Sequence, residues 1–268
     1  MNIITIGLLG LLGTALLLVV LYGVQRKTGN AAIADAGWSG GLAGLTVWYA
    51  WQLVPLTPRT AWVALLAMVW ALRLTHHVIY YRVWRKPEDG RYRAMREYWG
   101  DRASFYFFFF FQGQTVVAFL FSLPVAVALL ARDTFSWWDA VGTLIWLIAV
   151  GGEWWTDHQL ETFRANPANR GRTCRHGWWR YSRHPNYFFE WIHWFAYVAF
   201  AVGHPAWGWT WLGPVVMLIF LFKLTGIPYT EKQALKSRGA DYQRYQAETS
   251  VFIPWRPNVS AAGSTEAK

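Results

Sequence analysis

Residues 3–22 read IITIGLLGLLGTALLLVVLY, from Ile3 to Tyr22 without a charge. A helix rises 1.5 Å per residue, so about 20 apolar residues cross the roughly 30 Å hydrocarbon core of a bilayer. Further stretches of this kind follow at roughly 37–54, 60–81, 104–131, 135–157, 187–203 and 207–227. The chain has 268 residues, 54% of them hydrophobic and 15% charged, and its 20 Trp, 17 Phe and 13 Tyr far exceed soluble usage, so the bilayer is the solvent to consider first. The fold class expected is all-α, a polytopic membrane protein of seven transmembrane helices.

The basic residues sort by side. Arg26 and Lys27 fall in the first connection, Arg82 to Arg102 in the third, Arg164 to Arg183 in the fifth, and Lys232 onward in the tail, whereas the alternate connections carry only Arg59 and Arg132. By the positive-inside rule the N-terminus lies outside, and the odd connections and the C-terminus are cytoplasmic. The net charge of +10 is thereby explained as topology, and nucleic acid is not needed as a partner. Residues 1–22 lack a basic region ahead of the apolar run and a small-residue cleavage pattern after it, so they read as a retained first helix. The single cysteine, Cys174, cannot form an intrachain disulfide. One membrane domain is expected over 1–257, followed by an Ala-, Ser- and Gly-rich disordered tail at 258–268. Gly37, Gly40, Gly41 and Gly44 offer a small-residue face on the second helix.

A charge inside a span costs about 2.5 to 3.5 kcal/mol on insertion scales, so it needs a partner or a polar cavity. The fifth span ends with Glu153, Asp157 and Glu161, spaced by four on one helical face, and Arg164 follows. The macrodipole opposes carboxylates near a helix C-terminus, which favours a functional role over a stabilising one. The sixth span opens at Arg180-Tyr181-Ser182-Arg183-His184-Pro185-Asn186-Tyr187-Phe188-Phe189-Glu190, with Pro185 suited to the first helical position. A helix N-terminus beside Arg180 and Arg183 can hold a phosphate, and Asn186, Glu190, His193 and Tyr197 continue as a polar stripe into the membrane. Of these, His193 has the reading of a hydrogen-bonded core residue. The segment from Pro228 to Trp255 reads as an amphipathic helix with a hydrophobic return to the interface.

Asp157-His158 with Arg164, the run Tyr181 to Glu190, and Asp241-Tyr242 with Ile253-Pro254 together resemble the steroid 5α-reductase family, particularly its bacterial members, over roughly 150–256. The resemblance implies a seven-helix reductase, multi-pass in the bacterial inner membrane. It would take hydride from NADPH on the cytoplasmic side and deliver it to the C=C of an enone lipid, a Δ4-3-ketosteroid above all. It implies that Asp157 and Arg164 engage the adenosine and phosphate half of the cofactor, and Asn186 and Glu190 the nicotinamide end. Tyr181, Arg183 and His184 lie beside them, Glu231, Leu235 and Tyr242 fall at the C-terminal nucleotide contacts, and Arg164 or Arg172 would favour NADPH over NADH. Glu190 is also carried as a catalytic residue. Animal steroid enzymes have a Gln-Glu pair in the second helix where this chain has Gln52-Leu53. Another group must then stabilise the oxygen that gains charge during hydride addition. Tyr49, Gln52, His76 and Tyr80 are candidates, Tyr80 foremost because a phenol in an apolar site keeps its proton.

Membrane methyltransferases that use S-adenosylmethionine and modify isoprenylcysteine or phospholipid share the Arg-His-Pro and a later Glu, and form the alternative. Asn186 directly after Pro185, with Glu190 four residues on, fits the reductases better. The histidines are scattered apart from His76-His77, which argues against a di-iron desaturase, and no metal is expected. Transporter-like paired repeats are absent from the sequence.

Overall fold

A computed structural model describes residues 1–224 and 226–258. Its regular structure is helical, with no strand among the described residues. Four stretches are long and apolar enough to cross a membrane: Ile3–Thr28, Pro58–Val83, Gly90–Leu130 and Trp207–Arg238. They mark an integral membrane protein. The other three expected spans also fall on helices but do not meet that measure. One is diluted by Gly, Ser and Asp35, one carries four carboxylates, and one has only 16 residues, or about 24 Å of rise. The last expected span is a compound, with a 3₁₀ segment at Trp207–Trp211, an eight-residue α-helix, α8 (Leu212–Ile219), and a π-turn at Phe220–Leu224. Of the 258–268 tail, all but Asn258 lies outside the described residues.

The chain divides into two compact units, 1–140 with 197–213, and 141–196 with 214 onward. In the first, α1 (Ile3–Thr28) is capped by Asn2, whose Oδ1 accepts the Thr5 N–H at 2.8 Å, and ends at Gly29 in the left-handed region. Its buried residues Ile6, Gly10, Thr14 and Leu18 recur every fourth position, while Leu8, Leu12, Leu16 and Val20 are more than half exposed. So narrow a buried stripe on so apolar a helix fits a lipid solvent, not water. The stripe meets α2 (Ile33–Gln52) closely: a Cβ on Gly37 would lie 2.7 Å from Leu18 Cδ1, and one on Gly41 would lie 2.8 Å from Thr14 Cγ2. Of the four glycines expected to pack, Gly40 instead faces Thr75 of α3 (Pro58–Val78), and Gly44 has open space.

At the other end of this unit, Arg59 is fully buried. It follows Thr57 and Pro58, which start α3 with a capping box. Arg59 Nε donates to Asp139 Oδ1 at 2.9 Å, Nη1 to the carbonyls of Ala128 (2.7 Å) and Arg132 (3.0 Å), and Nη2 to that of Phe200 (2.8 Å). Ala128 is near the end of α5 (Ala103–Leu130) and Phe200 ends α7 (Pro185–Phe200), so one guanidinium satisfies carbonyls that the helices themselves leave open. Asp139 lies in the first turn of α6 (Trp137–Ala165), where it also accepts the Ser136 N–H at 2.8 Å.

The third connection contains α4 (Gly90–Trp99) and binds to its own unit. Asp35 accepts the Tyr92 hydroxyl at 2.6 Å and Arg91 Nη2 at 3.1 Å, and Arg82 pairs with it at 3.4 Å. Glu88 takes Arg96 Nη2 at 2.7 Å and the Ala31 N–H at 3.0 Å. Three of that connection's arginines are therefore spent on intramolecular pairs.

The second unit holds most of α6 and α7, then α9 (Ile227–Arg238) and α10 (Ala240–Glu248). Residues 250–255 return along 181–183: the Arg183 N–H donates to Ser250 O (2.8 Å), Ser182 Oγ to Phe252 O (2.7 Å), and the Trp255 N–H to Tyr181 O (2.9 Å).

Candidate functional site

Within the second unit, α6 and α7 approach closely where a Cβ on Gly152 would lie 2.4 Å from the Phe189 ring. The Trp179 indole N–H reaches the Thr156 carbonyl at 2.9 Å, which ties the 3₁₀ turn Gly177–Arg180 to the same helix. That register brings Asn186 to Asp157. Asn186 Nδ2 donates to Asp157 Oδ1 at 3.1 Å, joining residues 29 apart that the resemblance put at the two ends of one cofactor. Along the α6 face Glu153 is buried, Asp157 and Glu161 are half-buried and Arg164 is exposed. The acidic stripe thus runs from the interior to the surface. On α7, Glu190 and His193 are buried, with the His193 ring set edge-on to Trp194 at 5.2 Å.

Arg183 and His184 meet Glu231. Arg183 Nε donates to Glu231 Oε1 at 2.6 Å, while its Nη1 donates to the carbonyls of Gln246 and Thr249 at 2.9 Å each, where α10 ends. Arg183 Nη2 makes no hydrogen bond among the described residues. His184 Nε2 lies 3.3 Å from the same Glu231 oxygen, and Gln246 Nε2 donates to the other at 2.8 Å. Burial pushes the His184 imidazole below its ordinary value, and Arg183 adds to this, against an upward pull from Glu231. His184 is stacked on Tyr187 at 5.3 Å, whose hydroxyl is 3.3 Å from Thr230 Oγ1. Tyr242 is pushed up to about 12 by burial and by Glu231, so it holds its proton. The helix N-terminus is partly capped from within: Ser182 Oγ accepts the His184 N–H at 3.1 Å and Asn186 Oδ1 the Tyr187 N–H at 3.0 Å.

Nearby, Arg175 pairs with Asp241 Oδ1 at 3.0 Å and Glu248 at 3.3 Å, and the Thr173 N–H donates to Asp241 Oδ2 at 2.8 Å. Burial raises the Asp241 carboxyl, but Thr173 and Arg175 outweigh it and hold the group below the usual carboxylate range. Cys174 is buried, its Sγ 3.1 Å from His176 Nδ1. Burial pushes its thiol up, so it is protonated at neutral pH. Arg172 and Tyr181 are exposed, and Leu235 packs on Ala234, Tyr242 and Tyr245.

The remaining candidates belong to the first unit. Tyr80 is 56% exposed in the π-turn Ile79–Val83, with its ring stacked on His76 at 5.9 Å. Gln52 ends α2 and is half-buried. Tyr49 is buried, its hydroxyl 3.2 Å from Ser122 Oγ. Sequence reasoning took Arg59 only as a charge of a connection and passed over Arg73, a half-buried arginine in the C-terminal half of α3. The signal for both was present: a guanidinium inside an apolar helix is expensive enough to require an explanation.

A sequence profile of the family described as "Protein of unknown function (DUF1295)" matches residues 21–249. The chain belongs to that family, since the match spans well over half of it. No curated protein matches, and no solved structure matches.

Proposed function

We propose that this DUF1295 member is an NADPH-dependent membrane reductase acting on the C=C of an enone lipid, above all a Δ4-3-ketosteroid, with its cofactor site facing the cytoplasm. The observation that carries the reading is the 3.1 Å hydrogen bond from Asn186 to Asp157, which unites the two halves of the motif that resembles the reductases. The donor set suits such a cofactor. Asp157, oriented by Asn186, can accept ribose hydroxyls, in the manner of carboxylates at other dinucleotide sites. Arg164 and Arg172 are exposed guanidiniums able to take phosphate oxygens in pairs. Tyr181 offers an exposed ring face, and Tyr242 keeps a proton to donate. NADPH, when bound, supplies the hydride.

Glu231 neutralises Arg183 and fixes the loop that precedes α7, so these residues position the site, and Arg183 Nη2 is left for an anion. Buried Glu190 would orient an amide through α7, one turn deeper than Asn186. The sequence reading carries Tyr80, or else Gln52, as the donor to the developing charge on the substrate oxygen, and both residues belong to the first unit. The seven-span topology, outside N-terminus and bacterial inner membrane of the sequence reading belong to this proposal, as does a lipid rather than a nucleic acid as partner.

One observation favours the second reading, S-adenosylmethionine-dependent methyl transfer: Arg183 is already paired with Glu231, which offsets much of the positive charge that a phosphate would seek. A titration separates the two. Purified protein should quench NADPH fluorescence, Asn186→Ala and Arg164→Ala should each weaken binding about tenfold or more, and NADH should bind more weakly than NADPH. Tight S-adenosylmethionine binding without NADPH binding would sink the reductase.

A further inference from the structure

A cavity of about 600 Å³ opens beside the start of α7, lined by Trp178, Tyr181, Pro254, Trp255 and Arg256. Its size is that of a small-molecule site, but its walls are unusual for one. Trp255 is 72% exposed, and Trp178, Tyr181 and neighbouring Ile253 are also exposed. The walls are held in place from behind: the Trp255 N–H is bonded to Tyr181 O (2.9 Å), the Trp178 N–H to Gln159 Oε1 (3.1 Å), and the Trp178 ring meets Phe189 edge-on at 5.1 Å. Large rings fixed in an outward-facing position make a stable apolar patch, and in a chain with membrane-spanning helices such a patch belongs at the bilayer interface.

The charges around the cavity differ from those behind it. Arg175 and Arg183 are paired with Asp241, Glu248 and Glu231. Arg256, in the cavity wall, and exposed Arg180, in the turn that carries Trp178, form no ion pair or hydrogen bond through their side chains among the described residues. No carboxylate lines the cavity. The site therefore presents aromatic faces and an uncommitted guanidinium side by side, complementary to a ligand that is apolar at one end and anionic at the other.

We propose that this cavity holds an anionic phospholipid, with its phosphate on Arg256 and the start of its acyl chains against Trp178, Tyr181 and Trp255. The cavity excludes Asp157 and Asn186, shares only Tyr181 with the proposed cofactor site, and does not require the cofactor reading. An acyl chain satisfies the exposed rings, which a free nucleotide in water would leave half wet, and the anionic headgroup satisfies the guanidinium, which a zwitterionic lipid would do less well.

The test uses the full chain, delipidated in detergent and titrated separately with phosphatidylglycerol and phosphatidylcholine, with bound lipid counted by intact-complex mass spectrometry. Wild type should retain phosphatidylglycerol in preference. Arg256→Gln should weaken that retention about fivefold, the worth of one interfacial arginine, Arg256→Lys should restore part of it, and Trp255→Ala should weaken both lipids. NADPH quenching and the thermal midpoint, read on the same samples, should stay at wild-type values. Equal retention of the two lipids, or no effect of Arg256→Gln, overturns the proposal. So does loss of NADPH binding with lipid retention intact, which would make the cavity part of the cofactor site.

Discussion

Arg59 in the first unit and Arg183 in the second solve the same local problem with different outcomes. Each sits beside an N-terminal helix turn, pairs through Nε with a carboxylate, and donates through Nη1 to carbonyls near a helix C-terminus. Arg59 is fully buried and uses all three nitrogens on protein acceptors. The Arg183 side chain is 12% exposed, keeps Nη2 in hand, and shares its carboxylate with His184 and Gln246. A closed arginine is a joint between helices. One with a donor to spare, over a carboxylate held by several partners, is suited to respond to a ligand.

Replacing each arginine should separate those roles. Arg59→Met leaves Asp139 buried beside unpaired carbonyls, and removal of one partner from such a pair costs about 3–5 kcal/mol. Its thermal unfolding in detergent should shift down by the largest amount of any substitution here, and an unchanged midpoint would mean that the joint is dispensable. Arg183→Gln should cost less, about 1–3 kcal/mol, and should also weaken NADPH binding. Loss of stability with cofactor affinity intact would reduce Arg183 to a second joint.

The smallest effect is in pH. The folded protein holds His184 below its ordinary value, so between that lowered value and about pH 6.5 the unfolded chain binds more protons, and stability falls on acidification. Asp241, also lowered, contributes stability above about pH 4 that is lost as the pH drops through its folded value. Thermal midpoints taken from pH 8 to pH 5 should decline in wild type and decline less in His184→Gln. Parallel curves would remove His184 from the account.

Apolar length made α1 and α5 legible, because a bilayer imposes a length that composition reveals directly. The spacing of Glu153, Asp157 and Glu161 gave a true helical face, but the direct contact of Asp157 with Asn186 was not legible, since the resemblance put them at opposite ends of one cofactor. What could not be read were partners distant in sequence. Arg59 looked like an interfacial loop charge because its acceptors lie 69 to 141 residues onward. Arg183 looked free for phosphate because Glu231 is 48 residues away. The third connection showed only its arginines, because nothing local reveals that Asp35 will gather Arg82, Arg91 and Tyr92. Breaks in helical form were also hidden: residues 207–227 have the composition of one span, yet 207–224 switch among 3₁₀, α and π geometry.

The reach of Arg59 bears on how the protein is made. Its last acceptor, the Phe200 carbonyl, is 141 residues downstream, and at about 5–20 residues per second the ribosome needs on the order of ten seconds to supply it. For that interval α3 carries a guanidinium whose final partners are not yet synthesised, and the interface with water must solvate it. This knot of helix ends can therefore close only after α7 has been synthesised, which makes its assembly a late event in biogenesis and sets the order in which the first unit becomes rigid.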